Sequence, residues 1–185
     1  MIKKSIIIMK NIISFLMLAH ISVFCFWQMA NATDTYDWDK YQWPEFKDMY
    51  IDSPLCKKQE ITLWSCDTAK KSFTLCSSRE ITINTGYFQY RVSQAGKTIF
   101  QYPETLKPPI SSFTFNSSPN GDAAIGFKNG KYEYVLLDAL RGPSTITVSG
   151  KNINTTITCE NNNATLQLNY TLKLMHNSKI WLNEH

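Results

Sequence analysis

Histidine is nearly absent from this chain. Three occur in 185 residues, and His20 sits in an apolar leader, so only His176 and His185, both in the terminal tail, are left for chemistry. A hydrolytic triad needs a base beside its nucleophile, so a hydrolase here would depend on those tail residues, with His176 meeting Ser178 or Asp138. Glycine is sparse too, with seven in the chain, and none lies in a phosphate-cradling loop. The cysteines lack the short paired spacings of zinc ligands. Spacing sets no pair apart among Glu104, Asp122, Glu133 and Asp138, as a glycosidase would require. These scarcities point away from an enzyme, and no cofactor or metal is expected.

Long hydrophobic runs are also lacking. The longest, Asn11 to Trp27, falls short of the ~20 residues that a membrane span needs. It follows Lys3, Lys4 and Lys10 and ends at Ala30-Asn31-Ala32, the small-x-small pattern of a processing site. Residues 1–32 are therefore read as a cleaved signal peptide, and the mature protein as periplasmic or secreted, without a stable membrane span. Met9 offers a second start, since MKNIISFLMLAH opens an ordinary leader. Cys25 lacks the small residue that precedes a lipoprotein cysteine. Removing the leader takes three of 19 basic residues and leaves 16 against 15 acids, a net +1. That balance gives no footprint for nucleic acid.

Four cysteines remain, Cys56, Cys66, Cys76 and Cys159. An even number in an exported chain reads as two disulfides, with three possible pairings. The expected pairing is Cys66–Cys76, across a hairpin that turns at Ala69-Lys70-Lys71, and Cys56–Cys159, which closes a long loop.

What the chain has in quantity is alternation. From Tyr87 to Tyr134, apolar and polar residues alternate with period two between turn residues, the pattern of antiparallel strands with one buried face. Turns are expected at Gln94 to Lys97, Pro119 to Asp122 and Asn129-Gly130. Strands are expected at 60–65, 72–76, 80–84, 87–93, 97–102, 112–116, 123–128, 131–138, 145–149, 152–159 and a long closing run at 164–175. Pro103, Pro108 and Pro109 make 102–110 a loop or a sheet crossing. The fold class is all-β: one antiparallel sandwich or barrel of about 8–10 strands, braced by disulfides. Residues 33–58 form an acidic aromatic segment, 59–175 the β domain and 176–185 a tail. In the first of these, Tyr36, Trp38, Tyr41, Trp43, Phe46 and Tyr50 are expected to pack on the β domain and cover an edge, and Pro44 interrupts any long helix.

Arg91, Lys97, Lys107, Lys128, Lys131 and Arg141 flank the turns, and Tyr87, Tyr90, Tyr102, Tyr132 and Tyr134 add amphipathic contacts. Tyr and Arg are the residue types that carry interface hot spots. The favoured partner-binding set is Asn120, Asp122, Lys128, Asn129, Lys131, Tyr132 and Arg141, of which Lys128, Asn129, Lys131 and Arg141 are expected to be presented together by two turns and a hairpin within 122–141. Beyond Thr33, four glycosylation-type triplets begin at Asn116, Asn154, Asn163 and Asn169. They are read as products of an Asn-rich composition behind a bacterial leader.

The order Cys66…Lys70-Lys71…Cys76, Tyr87-Phe88-Gln89-Tyr90-Arg91, Gly96-Lys97, Tyr102-Pro103-Glu104, Phe113-x-Phe115, Asn129-Gly130-x-Tyr132-x-Tyr134 and Cys159 resembles small exported proteins of Gram-negative bacteria. More distantly, the chain is similar to periplasmic lysozyme inhibitors and effector-immunity proteins. It lacks the Ser-Gly-x-x-Tyr loop of the inhibitors, so no inhibitory residue carries over. The resemblance bears on compartment and fold; an exported, disulfide-bonded, nearly neutral β-domain without catalytic residues is expected to bind and neutralise a cell-wall hydrolase or a secreted toxin. The alternatives are an envelope-associated structural or glycan-binding β-protein, with Trp38, Trp43 and Trp64 stacking on sugars, and a secreted hydrolase.

Overall fold

The computed structural model describes residues 40–50, 52–160 and 168–180. The expected leader, with Tyr36, Trp38, Asn163 and His185, lies outside them. The described residues form two antiparallel meanders. Strands β1 (Glu60–Asp67), β2 (Ser72–Ser78), β3 (Phe88–Gln94) and β4 (Lys97–Tyr102) make sheet A in sequence order. Strands β5 (Thr114–Ser117), β6 (Ala123–Asn129), β7 (Tyr132–Asp138), β8 (Thr145–Gly150) and β9 (Ile153–Thr158) make sheet B, also in order. The sheets stack as a sandwich, because the apolar set of each strand faces the other sheet.

Turn chemistry fixes the registers. Gln94 pairs with Lys97 across Ala95 and Gly96, both with positive φ (49° and 75°), which suits the right-handed twist of the flanking strands. Asn129 pairs with Tyr132, so the tight turn is Gly130-Lys131, with Gly130 at φ 59°. The proline-rich segment is the crossing between sheets, as its missing donors require.

An aromatic stack joins the sheets. Tyr102 of β4 lies on Phe127 of β6 (centroids 4.4 Å, planes 12° apart), Phe127 on Tyr134 of β7 (4.7 Å, 3°) and Tyr134 beside Phe100 of β4 (5.7 Å, 21°). Tyr90 and Phe113 meet Phe127 at steeper angles. Such pairs add about 0.5–1.5 kcal/mol each beyond buried area. Ile125, Leu136 and Ile146 continue the core and are fully buried.

Four expectations are corrected. The described part of the closing run is helix α2 (Leu168–Asn177), not a strand, and residues 164–167 lie outside the described residues. Leu168, Leu172 and Met175 fall on one buried helical face, with Thr171 and Leu174 beside them, and length favours helix for a run of ten residues. The Asp138 carboxylate anchors its start: Oδ2 accepts from the Leu168 N–H at 2.8 Å, and Oδ1 from the Ser144 hydroxyl at 2.9 Å. Residues 80–84 form no strand. β2 runs on to Ser78, and the chain loops about Thr82, with Ile81 as its buried anchor.

The disulfides pair Cys56–Cys76 and Cys66–Cys159, not Cys66–Cys76 and Cys56–Cys159. The β1–β2 register sets Cys66 opposite Phe73 and Cys76 opposite Thr62. Three residues of strand separate the two, ~10 Å at ~3.3 Å per residue, beyond the reach of a disulfide. The fourth correction concerns β1, where alternation through Ile61 and Leu63 would put those two on the buried face. A bulge at Leu63, between Thr62 and Trp64, shifts the alternation, so Ile61 and then Trp64 and Cys66 face inward.

The short helix α1 (Trp43–Phe46) begins where Pro44 is tolerated, in a first helical turn. It docks on α2: the Trp43 N–H donates to Ser178 Oγ (2.8 Å), and the Asn177 amide to the Tyr41 carbonyl (2.8 Å). Trp43 and Phe46 are buried, so this part of the aromatic segment packs on α2.

Candidate functional site

The densest polar constellation lies on the outward face of sheet A. β1, β2 and β3 turn Glu60, Thr62, Thr74, Cys76, Gln89 and Arg91 away from the aromatic core, yet all are buried. The segment before β1 crosses over them as a strap, stapled by Cys56–Cys76. Beneath it Arg91 makes a two-pronged ion pair with Glu60, Nη1 to Oε2 at 2.6 Å and Nη2 to Oε1 at 2.7 Å. Nε and Nη2 also donate to Gln89 Oε1 (2.9 and 2.6 Å), and Nη1 to the Leu55 carbonyl of the strap (2.7 Å). All five guanidinium N–H groups therefore have partners. Glu60 is saturated in turn, accepting from the Tyr87 hydroxyl and the Lys57 N–H, each at 2.6 Å.

The electrostatics follow from those contacts. Burial alone raises the Glu60 pKa, and hydrogen bonds from Arg91, Tyr87 and the Lys57 backbone outweigh it, holding the carboxyl below its ordinary value. Burial, and then the Glu60 carboxylate that accepts its proton, push Tyr87 up to about 12. A shallow groove of about 400 Å³ opens beside this layer between the strap and the 104–106 loop. It offers a ligand no spare donor from Arg91. The cysteine sulfurs beside Glu60 are joined in a disulfide and so are not thiolate metal ligands. This constellation holds the strap down. The sequence reading placed Arg91 and Tyr90 at the surface, and both are buried.

The expected partner-binding residues divide between the two ends of sheet B. Asn120, Asp122 and Arg141 sit at one end, and Lys128, Asn129, Lys131 and Tyr132 at the other. β6 runs between them for seven residues, ~20 Å at ~3.3 Å per residue. The presentation of Arg141 beside Lys128 and Lys131 is thus corrected. Asp122 Oδ1 accepts from the Leu140 N–H (2.8 Å) and Oδ2 from the Asn120 amide (3.0 Å), which locks that end of the sheet and accounts for both residues structurally.

The β6–β7 hairpin end is the better site. Lys128 and Glu133 face each other across the hairpin and are exposed. The Lys131 ammonium stands 5.4 Å over the Tyr132 ring. That ring lies over Gly150 of β8, where an added Cβ would come within 2.8 Å of Tyr132 Cδ1. Gly150 therefore makes room for Tyr132. Alongside runs a cleft of about 420 Å³, bordered by Tyr102, Ile110, Ser112, Phe127, Lys128 and Glu133. Ile110 is 41 % exposed at its rim. An apolar rim, the part-exposed Tyr102 ring and opposite charges set beside one another suit insertion of a peptide loop.

Several residues named for the rival readings are buried or already engaged, while Trp38 and His185 lie outside the described residues. Trp43 and Trp64 are 2 % and 1 % exposed, so neither stacks on a sugar. His176 is exposed in the last turn of α2, whereas Asp138 sits at its first, ~12 Å away at ~1.5 Å per residue. The Ser178 hydroxyl is engaged by the Trp43 N–H and the Leu174 carbonyl. Comparison with known proteins finds no matching family, no matching curated protein and no matching solved structure.

Proposed function

We propose that the chain is an exported binding protein of the inhibitor or immunity kind, which neutralises a cell-wall hydrolase or secreted toxin through the β6–β7 hairpin and its cleft. The observation that carries this reading is the placement of Lys128, Lys131, Tyr132 and Glu133 on a rigid hairpin bordering an open aromatic cleft. A site built on paired strands is held more firmly than one on a free loop. The two disulfides suit an oxidising compartment, and no described helix is long and apolar enough to cross a membrane. The periplasm is the destination we assign, from the leader-like residues 1–32.

The test is inhibition. Purified protein should slow peptidoglycan hydrolysis by its target enzyme, and a Lys128→Glu/Lys131→Glu variant should lose that effect while keeping its melting temperature. Arg141→Glu, at the other end of the sheet, should leave inhibition intact. No inhibition across a panel of periplasmic hydrolases and toxins, or equal losses from both ends, would overturn the reading.

A further inference from the structure

A four-stranded and a five-stranded sheet together have four edges, and three of them are guarded. β1 is covered: the Glu160 N–H donates to the Asp67 carbonyl (2.8 Å) and Cys66–Cys159 ties the same segment down. β4 carries Lys97 and a bulge at Ile99, since Val92 pairs with Phe100 and Ser93 with Thr98. β5 is only four residues long. Covers, lysines, bulges and short length are the usual defences against edge-to-edge pairing. β9 has none of them. Its six residues, Ile-Asn-Thr-Thr-Ile-Thr, include no charge, no proline and no bulge, and five of the six are exposed. Among the described residues no strand pairs with its free edge.

The register shows which groups are unpaired. Gly150 and Ile153 flank a two-residue turn as partners, so Ile153, Thr155 and Ile157 bond to β8 and the N–H and C=O groups of Asn154, Thr156 and Thr158 point outward. We propose that β9 is a dimerisation edge, pairing antiparallel with β9 of a second copy about a two-fold axis through Thr155, so that two five-stranded sheets become one of ten strands. Only registers that set outward-pointing residues opposite one another form bonds. The one centred on Thr155 pairs Asn154 with Thr156 of the second copy and places Ile153, which is 41 % exposed, against Ile157 of the second copy. The latter is a non-hydrogen-bonded pair, where side chains come closest. It also brings the exposed Lys151 turn of each copy beside the exposed Glu160 of the other, opposite charges at both ends. That complementarity, and the absence of any like-charge clash along the strand, select a second copy as the occupant. A closed two-fold pairing uses the edge up and stops there.

The test is the oligomeric state of the purified chain by analytical ultracentrifugation, with two edge variants. The wild type is expected to be a dimer. Thr156→Pro removes only an outward donor and leaves the β8 ladder whole, so it should be monomeric with native circular dichroism. Thr156→Lys restores an ordinary edge defence and should also be monomeric, which decides the matter if the proline variant fails to fold. Thr155→Cys should give a disulfide-linked dimer under oxidation, which fixes the register. A monomeric wild type, or a dimer that survives Thr156→Lys, would overturn the proposal. A dimer that dissociates in Thr156→Lys but is not cross-linked by Thr155→Cys would overturn the Thr155-centred axis.

Discussion

The outward faces of the two sheets are built from polar residues in both cases, but they meet water differently. On sheet A the face carries a full charge pair, Glu60 and Arg91, and lies beneath the strap. On sheet B the same side of β8 and β9 carries Thr145, Thr147, Ser149, Asn154, Thr156 and Thr158, side by side in register. Nothing among the described strands covers them. A charge pair under a cover must be wholly satisfied, because an orphaned buried charge is costly. A ladder of hydroxyls in water needs no such partners. The first face is therefore specified residue by residue, and the second tolerates change.

Replacing Arg91 should break that contrast most severely. Arg91→Met leaves Glu60 buried without its partner, and the expected loss is about 3–5 kcal/mol of unfolding free energy in urea. Glu60→Leu combined with Arg91→Met should cost less than Arg91→Met alone, since the lone charge is then gone. A loss below about 1 kcal/mol in the single variant would mean that water already reaches the pair.

Cutting the staple should come next. The Cys56–Cys76 bridge spans 20 residues, and the chain-entropy model gives such a loop about 3 kcal/mol. Cys56→Ser/Cys76→Ser should lose about that much, with faster amide exchange at Leu55 and Lys57 while sheet B stays protected. Equal loss of protection in both sheets would show that the strap supports the whole sandwich rather than one face.

Much of the strand order was legible because alternation and turn residues agree: Ala95-Gly96 and Gly130 sit where tight turns require positive φ. The failures share a cause, which is that tertiary contacts decided them. Alternation in Leu168, Tyr170, Leu172 and Leu174 fits a strand as well as a helix, and the helix is selected by Asp138, thirty residues away, together with the packing of α1. The bulge at Leu63 inverts the phase of β1, so a correct strand assignment still gives the wrong face. Disulfide pairing depends on register and face, and neither is visible in spacing. Arg91 stood in an alternating strand at an outward position, where a solvated cation is the ordinary expectation. Only the strap made it buried. Of the expected binding residues, the hairpin group came together because its members adjoin one turn. Arg141 did not, because it lies a full strand away.

The sheet A layer should also give stability a pH dependence that the sheet B ladder cannot. Glu60 has its pKa depressed by folding, so its contribution is present above the unfolded value, ~4.3, and is lost as pH falls through the lower folded value. Tyr87 is shifted the other way, up to about 12. Its contribution is full below the unfolded value, ~10, and is lost as pH rises through the folded one. Tyr50 and Tyr90 are raised as well, by burial, so the difference between Tyr87→Phe and wild type isolates the alkaline arm. Glu60→Gln should lower the overall melting temperature and flatten its decline in acid. An unchanged acid slope in that variant would assign acid sensitivity elsewhere.

The smallest effect is expected on sheet B. Thr147 and Thr156 face each other with their hydroxyls 3.4 Å apart, a contact near the limit of a hydrogen bond and one that water replaces readily. Thr147→Val keeps the branched shape that suits a strand, so thermal unfolding should give a change within about 0.5 kcal/mol. Thr147 belongs to β8 and lies inside the sheet, away from the proposed β9 edge, so dimerisation should not alter this result. A loss above about 1 kcal/mol would mean that the hydroxyl ladder is covered and specified as closely as the Glu60–Arg91 layer. The two faces would then differ in what covers them, not in whether they are covered.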